Sequence, residues 1–336
     1  FFLFTMIASM FMLAAILWLY AKTGSFDFVT VQNAIHSGMV PNFAAAGQWL
    51  FLGFFIAFAV KVPLFPFHTW LPDAHVEAPT AGSVMLAGVM LKLGTYGMLR
   101  FNLGLFPEQA RANAWWIVIL ALIGIVYGAL VAMVQPNMKK LIAYSSISHL
   151  GFVVLGIFSF TTAGIDGAIY VMLAHGISTG GLFMLSGILY ERRHTYEISE
   201  YGGLATPMPV YATFFLFMML ASVGLPLLNG FIGEFLVLSG AFQARPVYGI
   251  IGATGVIWSA GYLLWLYQRV FFGKVKHAVN DTLPDLSLRE RTALWPVTVM
   301  ALIMGVAPLL WLNAIDPAVQ ATLAPIAQLA AKVVGQ

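Results

Sequence analysis

The chain has 336 residues, 60% hydrophobic and 9% charged, with a net charge of +3 and no cysteine. A soluble domain carries about 25% charged residues, so this composition, with a mean hydropathy of +0.88, belongs to a chain dissolved in lipid. It excludes disulfides and thiolate-held iron–sulfur or zinc sites, and no basic run with interleaved aromatics points to nucleic acid.

The chain opens FFLFTMIASMFMLAAILWLY, without an initiator methionine, a charged leading region or a small-residue cleavage site. This is a membrane span rather than a signal peptide, and the expectation is a chain entered partway, truncated at its N-terminus. A helical span needs roughly 20 apolar residues. Nine such segments are predicted, at about 1–21, 43–72, 80–100, 113–134, 139–160, 166–190, 209–241, 248–272 and 292–312. The connections are short except for 273–291, and the tail 313–336, with Asp316, Pro317, Pro325 and Lys332, reads as a short amphipathic or frayed end.

Two of the nine are broken. In GQWLFLGFFIAFAVKVPLFPFHTWLP (47–72), Pro63 and Pro66 follow Lys61, and each proline removes a backbone donor and obstructs the turn before it. In ATFFLFMMLASVGLPLLNGFIGEFLVLSG (212–240), Gly224, Pro226 and Gly230 interrupt the run and Glu234 lies beyond. Paired interrupted segments in two halves of a membrane protein are the signature of an inverted-repeat transporter. Freed backbone groups at that depth persist only beside protein or a water-filled cavity.

Alternating sides along the chain puts Lys139, Lys140, Arg192, Arg193, Arg269, Lys274, Lys276, Arg289 and Arg291 on one face. Lys22, Arg100, Arg111, Arg245 and Lys332 fall on the other, and nine against five assigns the first face to the cytoplasm or matrix. Two lysines belong to neither face. Lys61 and Lys92, with His149, His175 and Glu234, are ionisable residues inside spans. Each charge at mid-span costs about 2.5–3.5 kcal/mol, a cost that falls when the group gains or loses a proton and becomes neutral. Two unit charges about 10 Å apart at an effective dielectric near 20 interact by roughly 1.7 kcal/mol, so the proton occupancy of one site biases the next. Five such residues together point to a proton relay. The plainer readings are a snorkelling lysine, a packing histidine and, for Glu234, a cap on the half-helix after the break. His68, Asp73, His75 and Glu77, in FHTWLPDAHVEAP, lack the His-x-x-x-His spacing of a helical metal site. They read as a shaped connection with acidic contacts to a partner.

The stretches KVPLFPFHTWLPDAHVEAPTAGSVMLAGVMLKLGTYGMLR (61–100) and NMKKLIAYSSISHLGFVVLGI (137–157) closely resemble the antiporter-like membrane subunits of NADH:quinone oxidoreductase. Mrp-type cation/proton antiporters and membrane-bound hydrogenases share parts of the pattern. The resemblance runs over nearly the whole chain. Within the family, DAHVEAPTAGSVMLAGVMLKLG and the glutamate at 234, rather than lysine, single out one branch distinct from subunits L and N.

The resemblance implies an all-α, polytopic transmembrane bundle: an antiporter-like inverted repeat with two discontinuous helices, about nine of some fourteen spans being present. Residues 1–112 would be the remainder of the first repeat, 113–272 the second, and 273–336 a final span and tail. By the same resemblance Lys61 is the central lysine of the first broken helix and Lys92 the linking lysine. His149 and His175 lie on the hydrophilic axis, and Glu234 stands nearest the second half-channel. The family pairs its first broken-helix lysine with a glutamate on an earlier helix, which this sequence does not contain. The implied activity is redox-driven proton translocation, with no cofactor in this chain. The implied partners are the L and N neighbours of the membrane arm, the lipid bilayer and protons, with no nucleic acid. The expected location is the bacterial inner membrane, ahead of the mitochondrial inner membrane or thylakoid. The alternatives are a Na⁺/H⁺ antiporter subunit, a hydrogenase subunit, or a spacer that has lost transport.

Overall fold

A computed structural model describes the backbone of residues 2–334 and the side chains of residues 2–326; the side chain of Lys332 lies outside that description. In lipid every backbone polar group must be satisfied within the segment, and the apolar runs accordingly form helices. Apart from one isolated bridge between Asn137 and Glu197, no strand pairing occurs among the described residues.

The helices are α1 (Phe2–Thr23), α2 (Phe28–His36), α3 (Phe43–Lys61), α4 (Trp70–Glu77) and α5 (Thr80–Leu103). Then come α6 (Pro107–Met133), α7 (Met138–Ile157), α8 (Thr162–Arg193), α9 (Pro209–Val223) and α10 (Asn229–Ala244). The last three are α11 (Pro246–Phe271), α12 (Leu288–Val306) and α13 (Leu309–Val334). Local sequence sets their starts. Pro107, Pro209 and Pro246 open α6, α9 and α11, where a missing N–H costs nothing. Asn137 and Thr161 cap α7 and α8 through their side chains, and Ser287 with Glu290 forms a capping box on α12.

The centre of the bundle is α7, which is buried along 89% of its apolar stretch, against 17% for α1. It packs against α4, α6 and α8, while α8 is further enclosed by α5, α9, α10, α12 and α13. Its density rests on small residues: a side chain at Gly151 would meet the Ala121 carbonyl at 2.8 Å. The outer helices turn large apolar side chains such as Leu3, Phe11, Trp49, Ile257 and Trp295 outward. With no water-facing role for such side chains, this is the surface of an integral membrane protein.

Both breaks form where the prolines and glycines predict. α3 stops at Lys61, and its freed ends are satisfied by Leu64 N–H donating to the Ala59 carbonyl at 2.9 Å and Trp70 Nε1 to the Val60 carbonyl at 2.9 Å. α9 ends at Gly224, whose φ of 82° is left-handed; Leu225 N–H then donates to the Leu220 carbonyl at 3.1 Å. Gly230 lies inside the first turn of α10 rather than in the break.

Three expectations need correction. Seven helices, not nine, are individually long and apolar enough to cross a membrane among the described residues, or eight if α12 and α13 count as one bent span. The segment 209–241 is broken as expected, into helices of 15 and 16 residues because Gly224 stops the first, and neither half is long enough to span alone. The span expected at 292–312 stops at Val306, where the axis turns by 69°. The tail is not a frayed end: it forms the 26-residue α13, continuous through Pro317 and Pro325 and packed on α8 and α6.

Candidate functional site

α5 departs from regular α-geometry at Leu86–Met90 and Met98–Leu103, two π-helical stretches flanking Lys92. Such widened turns misalign the backbone ladder and commonly mark functional positions. The Lys92 ammonium reaches back to the Ala87 carbonyl in the first of them. It also lies 2.7 Å from Nδ1 of His175 on α8. A charged ammonium only donates, so Nδ1 of His175 accepts, and its remaining proton belongs on Nε2.

On α7, His149 presents Nε2 to the Ser222 carbonyl at 3.0 Å. A carbonyl only accepts, so Nε2 is the protonated nitrogen and Nδ1 is bare. The two rings are 5.4 Å apart, centroid to centroid, and inclined at 67°. His175 Nε2 and His149 Nδ1 are both buried without a hydrogen-bond partner among the described residues. One is a donor and the other an acceptor. Between them and Glu234 lies a cavity of about 10 Å³, lined by His149, His175, Ser178, Ser222 and Glu234. That is close to the space of one water molecule.

Glu234, on the second turn of α10, is 5% exposed, with Oε1 3.6 Å from His149 Nε2. The turn between α9 and α10 sets this approach, since a Cβ at Gly224 would lie 2.7 Å from Glu234 Oε2. Gly224→Ala is therefore expected to displace the carboxylate and to strain a left-handed residue by about 1–2 kcal/mol. The chain should unfold in the membrane at a lower temperature than the parent; an unchanged thermal midpoint would mean that neither the contact with Glu234 nor the left-handed backbone at 224 matters.

Four of the five expected residues thus form one series of neighbours, Lys92, His175, His149, Glu234, the last three buried and Lys92 half-buried. Lys61 stands apart. It is half-buried at the end of α3, and its ammonium makes no hydrogen bond or ion pair among the described residues. It packs near Gly94, where a Cβ would come 3.0 Å from the Lys61 Cβ. Gly94 lies two residues, about 200° of helix, from Lys92, so α5 stands between the two lysines.

The sequence reading missed the Ser222 carbonyl, Asn229 and Thr179. The first is a backbone group with no residue-type signal. Asn229 is fully buried at the start of α10 and donates to the Ala174 carbonyl at 3.1 Å. Thr179 was detectable as a polar residue one turn beyond His175, beside Ser178, in a mostly apolar helix.

A family profile described as "NADH:quinone oxidoreductase/Mrp antiporter, TM" matches residues 1–258. Subunit M of the NADH-quinone oxidoreductase of Rhodobacter capsulatus is 47% identical over 328 residues, 95% of this chain and 64% of its own length. A chain in respiratory complex I from Thermus thermophilus with bound NADH superposes at a TM-score of 0.87 with 38% identity, over 96% of this chain and 67% of that one. A chain of the Mrp complex from a Dietzia species gives a TM-score of 0.84 at 19% identity, over 96% of this chain and 67% of that one, which is likeness of fold alone. The chain belongs to the membrane-subunit family of NADH:quinone oxidoreductases and Mrp antiporters. It spans just under two thirds of the length of the curated relative it matches.

Proposed function

We propose that this chain is a proton-translocating membrane subunit of an NADH:quinone oxidoreductase. Protons pass between Lys61 and Glu234 by way of Lys92, His175 and His149, driven by redox chemistry in partner subunits. The observation that supports this reading is the series from the Lys92 ammonium, 2.7 Å from His175, through the His175 and His149 rings, 5.4 Å apart, to the Glu234 carboxylate, 3.6 Å from His149. Ionisable side chains inside an apolar bundle are costly, and where they stand side by side they mark ion or proton pathways.

The two interrupted helices belong to two inverted halves, residues 1–112 and 113–272, with 273–336 completing the bundle. Other membrane-arm subunits, the antiporter-like L and N among them, flank the chain in a bacterial inner membrane. The driving force arrives from redox chemistry in partner subunits, as a change of charge at the Lys61 end. Each proton moved outward works against roughly 2.3 kcal/mol per 100 mV. A cation/proton antiporter subunit is the competing reading, since the Mrp chain shares the fold; the 38% and 47% identities to oxidoreductase chains favour the first.

The test is proton pumping and electron transfer measured side by side in vesicles carrying the assembled complex with Lys61→Ala or Glu234→Gln. Both are expected to lose most pumping, with electron transfer slowed to match. Pumping per electron at the parental level in both would remove the relay from the mechanism.

A further inference from the structure

α5 and α8 meet along a narrow seam. Thr95 Oγ1 donates to Met172 Sδ at 2.6 Å, and a Cβ at Gly176 would come 2.9 Å from the Gly88 carbonyl. Beside this seam the two helices leave a trough. Its mouth is a cavity of about 680 Å³ between α2, α5, α8 and α13, with Gln32, Arg100 and Thr322 among its walls. The mouth leads into a second cavity of about 540 Å³, bordered by Val89, Leu93, Ile177, Met300 and Trp311. Tyr96, Ile169 and Met172 line both, so the two are continuous. Val89, Leu93 and Tyr96 on α5 and Leu173 on α8 are about half exposed along it, which places the trough on the outer, lipid-facing side of the bundle.

The two ends of the trough differ in chemistry. Arg100 stands at the mouth, its guanidinium 4.0 Å over the Phe28 ring, and it makes no ion pair among the described residues. No carboxylate lines either cavity. The other cation on the walls, Lys92, is already engaged by the Ala87 carbonyl and His175. A guanidinium stacked on an aromatic ring keeps its N–H edges for an anion, and its fork matches a phosphate. Past Tyr96 the walls are apolar apart from Lys92. The length is also informative. Gly88, where the helices close, precedes Arg100 by twelve residues, about 18 Å of helix. One leaflet of a bilayer contributes about 15 Å of hydrocarbon. The trough therefore offers an anion site at its mouth and an apolar channel as long as one acyl chain.

We propose that the trough holds one anionic phospholipid, its phosphate on Arg100 and one acyl chain laid along the α5–α8 seam as far as Gly88 and Gly176. The chain lies over the half-buried Lys92 and keeps water from it on the membrane side. The site stands whether or not Lys92 belongs to a relay, because it depends only on the shape of the trough and on the unpaired charge at its mouth.

The test uses the assembled complex in phosphatidylcholine vesicles doped with a photoreactive lipid. Two probes are compared, phosphatidylglycerol and phosphatidylcholine, each with a diazirine at the end of one acyl chain. After illumination, the marked peptides are quantified by mass spectrometry. The phosphatidylglycerol probe is expected to mark α5 near Gly88 and α8 near Gly176 about fivefold more than the phosphatidylcholine probe, the worth of one basic side chain facing an anionic lipid. Arg100→Gln should bring the two probes level, and Arg100→Lys should keep most of the difference. Ile169→Trp, which fills the trough where its two cavities join, should reduce marking by both. Equal marking by the two probes in the parent overturns the site, and so does an undiminished preference in Arg100→Gln. Marking of outward positions such as Trp295 with none at Gly88 or Gly176 would mean that polypeptide fills the trough, and would overturn it as well. Should Arg100→Gln fail to assemble, the two probes on the parent and on Ile169→Trp decide the matter.

Discussion

Replacing Lys92 by methionine is expected to slow proton-coupled turnover by roughly 10- to 100-fold, while the complex still assembles. Methionine keeps the length and apolar stem of the side chain, so the packing of α5 against α8 survives. What disappears is the ammonium that joins the Ala87 carbonyl to His175 Nδ1. A hydrogen bond to a charged group is worth about 1.5–3 kcal/mol, and each 1.4 kcal/mol is a factor of ten. The loss also frees His175 to change tautomer, since nothing then fixes which nitrogen is bare. Lys92→Arg should recover little, because a planar five-donor fork does not fit where one compact ammonium meets a carbonyl and a ring nitrogen. The measurement is NADH-driven acidification in vesicles at matched complex content. Turnover of Lys92→Met within threefold of the parent would break the sequence at its first link.

The second large effect concerns stability, at the opposite end of the same machinery. Arg192, in the last turn of α8, makes a two-pronged ion pair with Glu290 at 2.8 Å on both arms. It also donates to the carbonyls of Pro284, Ile188 and Asp285 at 2.9, 3.0 and 3.3 Å. The pair is mostly enclosed, with side-chain exposures of 11% and 18%. Asp285 next to it accepts from the first free N–H groups of α9, those of Val210 and Tyr211, at 2.8 and 2.9 Å. Arg192 therefore fastens the long loop to α8, and the loop fastens the half-helix that ends at Gly224. Arg192→Met leaves the partly buried Glu290 without its cationic partner and with only the Ser287 cap bonds, at a cost of about 1.5–3 kcal/mol, that of a hydrogen bond between charged groups. The expected result is less assembled complex in the membrane and a lower thermal midpoint, partly regained in Arg192→Met/Glu290→Gln. Equal recovery and midpoint in Arg192→Met would show the anchor to be dispensable.

How much of this the sequence disclosed follows from the physics of each part. The apolar runs and their interruptions were plain, because lipid leaves the backbone no option but helix and because proline and glycine end helices by local means. The five ionisable residues stood out for their cost in an apolar setting. Their joining was not legible: His149 and Glu234 are 85 positions apart and meet only because α9 stops at Gly224 and α10 folds back against α7. The Ser222 carbonyl that fixes the His149 tautomer has no signature in residue type. The tail, read as a short amphipathic or frayed end, proved longer than expected and not frayed, since Pro317 and Pro325 each remove a single donor and α13 continues through both. His75 was set aside as a metal ligand on spacing and read as part of a shaped connection; its stacking on Phe183, more than a hundred residues away, was not legible.

The glycines between α8 and α10 bear on speed. A Cβ at Gly167 would meet the Gly233 carbonyl at 2.8 Å, and one at Gly233 would meet the Val171 amide at the same distance. Backbones that touch directly cannot slide past one another by small steps, so the helices holding His175 and Glu234 keep a fixed spacing. Whatever opens and closes the passage between them is then smaller than a helix. Side-chain rotation and the entry of single water molecules run in picoseconds to microseconds, whereas helix shifts take microseconds to milliseconds. In the relay proposed for this chain, the fast steps are then those of rotamers and hydration, and the slow ones those of charge changes arriving from elsewhere.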